Sequence, residues 1–262
     1  MDILKRQMAP VTEEAWEEID EQAKEILENR LTARKFVDVS SPLGWDVASV
    51  PEGSLGEIYD KEKGVRYGVR QSRPIIETRI SFDLEIWELD NITRGSEDVD
   101  LEPLEEAAAK AAYFEDLAVY EGVSKAGVAG LIEESEESLP LPSGTTEIVD
   151  TVSDAVRKFK ESSIEGPYGI VVNSDLWSKI NHFVQGYPVG KKITDILEGP
   201  MIYNPSLDTP LIVSLRGGDF DLSLGRDFSI GYENHDNEKV SLFITESFTF
   251  KILDPAAVIT ME

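Results

Sequence analysis

The sequence predicts a mixed α+β fold, and three observations support this. Two segments, Thr12 to about Arg34 and about Asp100 to Glu121, carry apolar residues at three- and four-residue spacing, as amphipathic helices do. Two others, 79–89 and 220–252, alternate apolar and polar residues, which is typical of strands in a half-buried sheet. Residues 131–215 change to a helix–strand–helix pattern. We therefore expect an α/β block inserted between flanks rich in strands.

The first helix is expected to begin at Thr12, whose side chain can cap the free backbone N–H groups, with Glu13 and Glu14 in the first turn where the helix dipole favours negative charge. After it, residues 50–78 are polar and alternate only weakly, which predicts a long two-stranded ribbon. A lone hairpin is marginally stable in water. We therefore expect this ribbon to pack on a partner chain.

The second helix carries Pro103 in its first turn and small alanines on its apolar stripe, so another element can approach it closely. An acidic, Ser- and Pro-rich connector follows at 133–144. Beyond it we expect helices at 148–159, 175–183 and 193–197 and strands at 168–172, 201–203 and 211–214. Residues 220–252 are expected to form three successive strands.

The charge of the chain argues against two classes of partner. The 262 residues include 51 acidic and 25 basic side chains, a formal net charge of −26. Nucleic acid binding needs clusters of Lys and Arg that displace counterions, and anionic membranes attract basic segments. We therefore expect neither nucleic acid nor a membrane as partner.

The absence of cysteine excludes disulfide scaffolds, thiolate metal sites and cysteine nucleophiles. The two histidines, His182 and His235, nearly exclude a site built from several imidazoles. The first six residues lack the apolar region of a signal peptide, and no run approaches membrane-spanning length. We expect a cytoplasmic protein with no required cofactor and no metal site.

Enzyme signatures are weak. Gly186 to Lys191 is one residue short of a phosphate-binding loop, and Gly122 to Ala126 is a degenerate nucleophile elbow that follows a helix instead of a strand. Thirteen acidic residues between 83 and 121 are best explained as a solvated face, and the Glu-x-x-His pairs of a di-iron site are missing there. We predict no catalytic residue, although a hydrolase or protease stays open as an alternative.

Trp87 is expected on the polar face of the strand 79–89. Either another element covers it, or it marks an interface or a platform on which a planar ligand stacks. Arg79 shares that face, roughly 26 Å away along one strand at about 3.3 Å per residue. Both side chains can reach one ligand only if neighbouring subunits contribute.

Eight segments, in family order across essentially the whole chain, resemble the encapsulin family of bacterial and archaeal protein nanocompartments. They are Leu4–Arg6 with Ala9–Pro10, Arg34–Asp38, Gly44–Trp45, Trp87–Asp90, Glu165–Tyr168, Arg216–Phe220, Asp227–Tyr232 and Thr245–Phe250. One such segment is weak support for the resemblance. Eight in order, with a family-like length, strongly favour it.

The resemblance implies the Hong Kong-type fold of tailed-phage major capsid proteins, with a peripheral domain that holds a long spine helix, an axial domain and an extended loop. The division that it implies is 1–49 for the N-terminal helix and the start of the peripheral domain, 50–78 for the extended loop, 79–130 for the peripheral domain with the spine helix, 131–215 for the axial domain, and 216–262 for the C-terminal strands of the peripheral domain.

The family assembles into closed icosahedral shells that enclose cargo enzymes, so the resemblance implies a homo-oligomer of sixty subunits. The cargo is a ferritin-like protein or a dye-decolorising peroxidase, with roles in iron storage or oxidative stress. The rival with the same fold is a prophage major capsid protein. An acidic chain argues against a shell that packages a genome.

Cargo proteins in this family dock through a C-terminal targeting peptide on the inner wall. Carried over to this chain, the apolar floor of that site is Leu27, Leu31 and Ile230, with Tyr232 at its edge. Two further residues, Arg34 and Asp38, are expected to make polar contacts with the peptide. Ordinary helix-to-sheet packing is the alternative for the two leucines, and their exposure decides between the two.

Two further sites follow from the resemblance. Some relatives hold a flavin stacked on the tryptophan of the Trp87–Asp90 segment, which implies a flavin site at Trp87 with Arg79 of another subunit. The loop from His182 to Gly190 matches the tip of the axial domain around a fivefold pore. The pore residues are then His182, Gly186, Tyr187 and Pro188, with gating of ions and small molecules as their role. A plain surface loop is the alternative.

Overall fold

The computed structural model describes residues 3–96, 98–181 and 188–262. Its helices are α1 (Glu13–Arg30), α2 (Ile86–Thr93), α3 (Glu102–Tyr120), α4 (Leu131–Glu134), α5 (Thr145–Glu161), α6 (Ser174–Asn181) and α7 (Val189–Leu197). Its strands are β1 (Asp38–Val39), β2 (Ser49–Lys61), β3 (Val65–Pro74), β4 (Ile76–Glu85), β5 (Gly122–Val123), β6 (Val128–Ala129), β7 (Glu137–Leu139), β8 (Tyr168–Val172), β9 (Met201–Tyr203), β10 (Leu211–Ser214), β11 (Phe220–His235), β12 (Lys239–Ile252) and β13 (Val258–Met261). The predicted α+β class is confirmed.

A four-stranded sheet in the order β1-β11-β12-β4 forms one half of the fold. Its centre is a long antiparallel hairpin of β11 and β12, so the prediction of three strands between 220 and 252 is wrong: there are two. Register shifts interrupt the pairing between Leu224 and Arg226 and between Arg226 and Ser229. Bulges of this kind break the alternation of the sequence without ending the strand.

The two predicted long helices are present as α1 and α3, and they pack in one apolar cluster with this sheet. Thr12 caps α1, and its Oγ1 accepts a hydrogen bond of 3.3 Å from the backbone N–H of Ala15. The buried stripe of α1 includes Ile19 and Leu27, and it faces the alanine stripe of α3 in one apolar cluster. Because alanine adds only a methyl group to a helix surface, the two helices pack closely.

A five-stranded sheet in the order β7-β13-β10-β8-β9 forms the second half, and α5 contacts α6 and α7 beside it. Strand β13 was not predicted. It pairs with β10 on one side and β7 on the other, so residues 258–261 lie in the sheet of the 131–215 block. The division implied by the family resemblance instead places all of 216–262 in the peripheral domain. The four side chains of β13 are all buried, and a segment this short carries too little periodicity to be detected.

Strands β2 and β3 pair as an antiparallel ribbon, which confirms the predicted two-stranded element. Along it the larger apolar side chains are exposed: Leu55, Ile58, Tyr59, Val65, Tyr67 and Val69. A soluble monomer rarely exposes so many apolar side chains on one element. The ribbon therefore presents an unusually apolar surface in the isolated chain.

Within the described ranges, none of the helices has both the length and the apolar character needed to cross a bilayer.

Candidate functional site

A groove of about 650 Å³ lies between α1, the segment that follows α1, and the bulged part of β11. We call it the α1–β11 groove. Its lining residues are Leu4, Arg6, Asp20, Ala23, Lys24, Leu27, Glu28, Leu31, Arg34, Lys35, Arg226, Asp227, Phe228, Ser229, Ile230 and Ile244. Four of the six residues predicted for peptide binding are among them. A mostly preformed concavity with an apolar floor and charged walls is typical of ligand sites.

The floor of the groove belongs to the core between helix and sheet. Leu27, Leu31 and Ile230 are 8%, 6% and 5% exposed, and all three lie in the apolar cluster of α1 and α3. Helix-to-sheet packing therefore accounts for most of their surface, and only a small remainder faces the groove. Phe228, which is half-buried, offers the larger apolar wall and was missed by the sequence analysis.

Arg34 is held inside the chain. Its Nε and Nη2 donate to both carboxylate oxygens of Glu115 at 2.5–3.0 Å, and Nη2 also reaches Asp227 at 3.0 Å and Glu246 at 2.8 Å. Burial lowers the pKa of Arg34, but the hydrogen bonds and charges of Glu115, Asp227 and Glu246 together outweigh burial and raise it. The guanidinium is thus a fixed part of the groove wall.

Sequence reasoning missed the two buried carboxyl groups of this network. Glu115 is 0% and Glu246 is 1% exposed. A signal was present, because Glu246 continues the buried alternation Leu242–Ile244 of its strand and Glu115 lies on the alanine stripe of α3. A charged residue at an apolar position of a helical stripe or of a strand alternation indicates a buried ion pair.

Two predicted peptide-binding residues lie outside the groove lining. Asp38 Oδ2 accepts a hydrogen bond of 2.6 Å from the backbone N–H of Gly218, in a turn where Gly217 and Gly218 have φ of 79° and 81°. Tyr232 is buried, and its hydroxyl lies 2.6 Å from Nδ1 of His235. Both side chains stabilise local structure in the isolated chain.

Trp87 does not lie on a strand. Strand β4 ends at Glu85, and Trp87 is in the first turn of α2, where it is 69% exposed. The described part of the chain therefore leaves most of the Trp87 side chain exposed, and the spacing of roughly 26 Å to Arg79 along one strand does not apply. The guanidinium of Arg79 lies 4.0 Å over the ring of Phe243, while Arg94 lies 5.5 Å from the ring of Trp87. A flavin at Trp87 stays a prediction.

Three predicted pore residues, His182, Gly186 and Tyr187, lie outside the described residues. Pro188 is described; it is exposed and precedes the first turn of α7. The role of this loop stays a prediction.

A second cavity, of about 380 Å³, lies between the end of α1, α3 and the segment after β9. At its wall Asp116 accepts hydrogen bonds from the backbone N–H groups of Thr32 and Ala33 and from the Thr32 hydroxyl. The amide of Asn204 donates to the same carboxyl group at 3.2 Å. Burial raises the pKa of Asp116 to about 6, although these hydrogen bonds oppose the rise. The network ties the helical layer to the five-stranded sheet.

The described ranges hold no group of three or more acidic or histidine side chains placed to bind a metal ion.

Comparisons with known proteins identify the family. A family model described as "Encapsulating protein for peroxidase" matches residues 1–249. The type 1 encapsulin shell protein of Mycolicibacterium paratuberculosis is 37% identical over 252 residues, 95% of each chain. That of Rhodospirillum rubrum is 37% identical over 270 residues and covers 100% of this chain and 96% of the relative.

Solved structures confirm the fold. A virus-like particle from Pyrococcus furiosus matches with a TM-score of 0.66 at 18% identity, over 92% of this chain and 98% of that one. The capsid of Myoviridae phage XM1 matches with a TM-score of 0.54 at 11% identity, over 88% and 91%. These likenesses confirm the predicted Hong Kong-type capsid fold, and the identity of the curated relatives decides between shell and phage. The chain belongs to the encapsulin family of shell proteins, whose role is structural and not enzymatic.

Proposed function

We propose that copies of this chain close into a sixty-subunit shell in the cytoplasm, and that the α1–β11 groove holds a targeting peptide of a cargo protein on the inner wall. The groove is the observation that carries the proposal. It is open, about 650 Å³ in volume, and apolar at its floor, so that an extended peptide can bury a few side chains there.

The exposed ribbon supports assembly. Apolar side chains such as Leu55 (54% exposed) and Val69 (61% exposed) have no covering element within the described part of the chain. Burial of apolar surface contributes about 25 cal/mol per Å². A neighbouring subunit is the natural source of that burial, and contacts between unlike patches close into a shell when the rotation permits it.

The cargo we propose is an enzyme. The description of the matching family names peroxidase as the encapsulated protein, which favours a peroxidase over a ferritin-like protein. The loop before α7 would then line a pore that admits ions or small substrates. A net charge of −26 per subunit favours the passage of cations through that pore.

The experiment compares a groove variant with a matched control. Phe228→Ser removes the half-buried apolar wall of the groove, and Tyr113→Ser removes an aromatic ring from the second cavity. We expect both variants to form particles of megadalton mass in light scattering. Native mass spectrometry should show normal cargo in Tyr113→Ser shells and depleted cargo in Phe228→Ser shells. Equal loading would contradict the groove assignment, and a stable 29 kDa monomer would refute assembly.

A further inference from the structure

A pair of buried carboxyl groups lies behind the wall of the α1–β11 groove. Glu115 comes from α3 and Glu246 from β12, and neither reaches water. Both bind the guanidinium of Arg34, which also binds the half-exposed Asp227. One cation therefore faces three carboxyl groups, and two of these are buried.

The hydrogen bonds of Glu246 are incomplete. Its Oε1 accepts from Arg34 at 2.8 Å, while its Oε2 is buried and has no hydrogen-bond donor among the described residues. A buried acceptor left without a donor is destabilising, because it has lost its hydrogen bonds to water. A proton on Oε2 changes this balance, because the resulting hydroxyl can donate to the carboxylate of Glu115, which accepts from the same Arg34 Nη2 as Glu246 does.

Three charged side chains from different elements surround the pair. Arg34 faces it from the turn after α1, Asp227 from β11, and Asp116 lies beyond Glu115 on α3. Strand β4 contributes the uncharged Thr78, whose hydroxyl donates to the backbone carbonyl of Glu246 at 3.4 Å. Burial and the charge of Glu115 raise the pKa of Glu246 well above its usual value, although Arg34 lowers it.

We propose that Glu115 and Glu246 share one proton, and that this proton keeps the wall of the α1–β11 groove in its binding form. With the proton, the pair carries one negative charge, which Arg34 balances, so that α3, β11, β12 and the turn after α1 are held together. Without it, two buried negative charges repel each other next to one cation. Arg34 and Asp227 line the groove, so the loss of the proton reaches the groove through these two side chains. The link to the groove rests on the proposed function, while the shared proton does not.

Glutamine variants test the shared proton, because glutamine keeps the shape of glutamate and does not ionise. In Glu115→Gln or Glu246→Gln one carboxylate remains to balance Arg34. We expect each single variant, as assembled protein, to melt within about 3 °C of the wild type at pH 6. The double variant leaves Arg34 without a buried counterion, and we expect it to melt well below both.

The pH dependence has a defined sign. Burial raises the pKa of Glu246 in the folded chain, so the stability that its proton contributes is present at low pH and is lost as the pH rises through that raised pKa. Between pH 6 and 9 the melting temperature of the wild type should therefore fall relative to that of Glu246→Gln. Single variants that melt as low as the double variant, or equal pH profiles, would overturn the proposal.

Infrared spectroscopy provides a direct readout. The difference spectrum between wild type and Glu246→Gln at pH 7 should contain the C=O stretching band of one protonated carboxyl group. If the band is absent, the pair is fully ionised and the proposal is wrong. A purely structural role of Glu246 would not produce this band.

The link to the groove is tested with a fluorescein-labelled peptide that carries the last fifteen residues of the protein that co-purifies with the shell. Its affinity should fall with rising pH, by at most about tenfold per pH unit for one proton, and stay constant in Glu246→Gln. A constant affinity in the wild type would overturn the link. A peptide that binds at no pH, to protein that shows the infrared band, refutes the proposed function and the link together but leaves the shared proton established.

Discussion

Replacing Arg34 with methionine removes the cation that pairs with the buried carboxyl groups of Glu115 and Glu246. The side chain of Arg34 is 19% exposed, and its main partners Glu115 and Glu246 are 0% and 1% exposed, so water cannot take its place. Removing one partner of a buried pair typically costs about 3–5 kcal/mol. Asp227 adds little to this figure because its side chain is 46% exposed and therefore screened.

For a chain of this size, 1 kcal/mol corresponds to about 2–4 °C in melting temperature, so Arg34→Met should lower it by roughly 6–20 °C. Differential scanning fluorimetry of the assembled protein measures this shift. The control is Arg94→Met, since Arg94 is 53% exposed and pairs with the exposed Asp90. Such surface pairs contribute about 0–1 kcal/mol. If both variants melt within 2 °C of the wild type, the carboxyl groups do not depend on Arg34 and the reasoning fails.

Three further predictions concern packing, pH and assembly. Gly231→Ala should lower the free energy of unfolding by about 1–3 kcal/mol, because the new Cβ would lie 2.2 Å from the buried ring of Phe243. The control in the same denaturation series is Gly190→Ala, whose Cβ would lie at an ordinary contact distance of 3.4 Å from Ile180 and should not lower the free energy of unfolding. Asp116 has a pKa of about 6 in the fold, so the free energy of unfolding should fall by up to about 3 kcal/mol as the pH rises from 4 to 6. Asp116→Asn should abolish this slope in pH-dependent melts, and parallel profiles of the two proteins would contradict the prediction. Val69→Glu, on the exposed ribbon, should lower the particle mass in light scattering and leave the far-ultraviolet circular dichroism unchanged. Particles of normal mass would show that the ribbon is not part of the subunit interface.

The predicted secondary structure agrees best with the observed elements where a single hydrophobic periodicity extends over many residues. The helix from Thr12 and the helix around residues 100–121 were predicted close to their bounds, because an amphipathic stripe over four or five turns leaves little ambiguity. Strands β8, β9 and β10 were predicted at their observed bounds as short apolar runs between turn residues. Trp87 was placed on a strand because the alternation of 79–85 was extended across the start of a helix.

The candidate groove was predicted only in part. Its floor residues Leu27, Leu31 and Ile230 were named through the family resemblance, and they do line one cavity. Asp38 and Tyr232 were named on the same ground, yet their side chains make local contacts elsewhere. A motif shows which residues recur together in a family. It does not show which way each side chain points.

The sequence by itself determined the α+β class, the two long helices, the exposed ribbon and the family, because each depends on periodicity, composition or similarity along the chain. Only the tertiary structure showed that β13 joins the sheet of the preceding block. It also placed Arg34 against carboxyl groups 81 and 212 residues away in the chain. Contacts over such separations form through the packing of α3 and β12, and burial there raises the pKa of Glu246. The chemistry of the groove wall therefore depends on the fold more than on any local pattern.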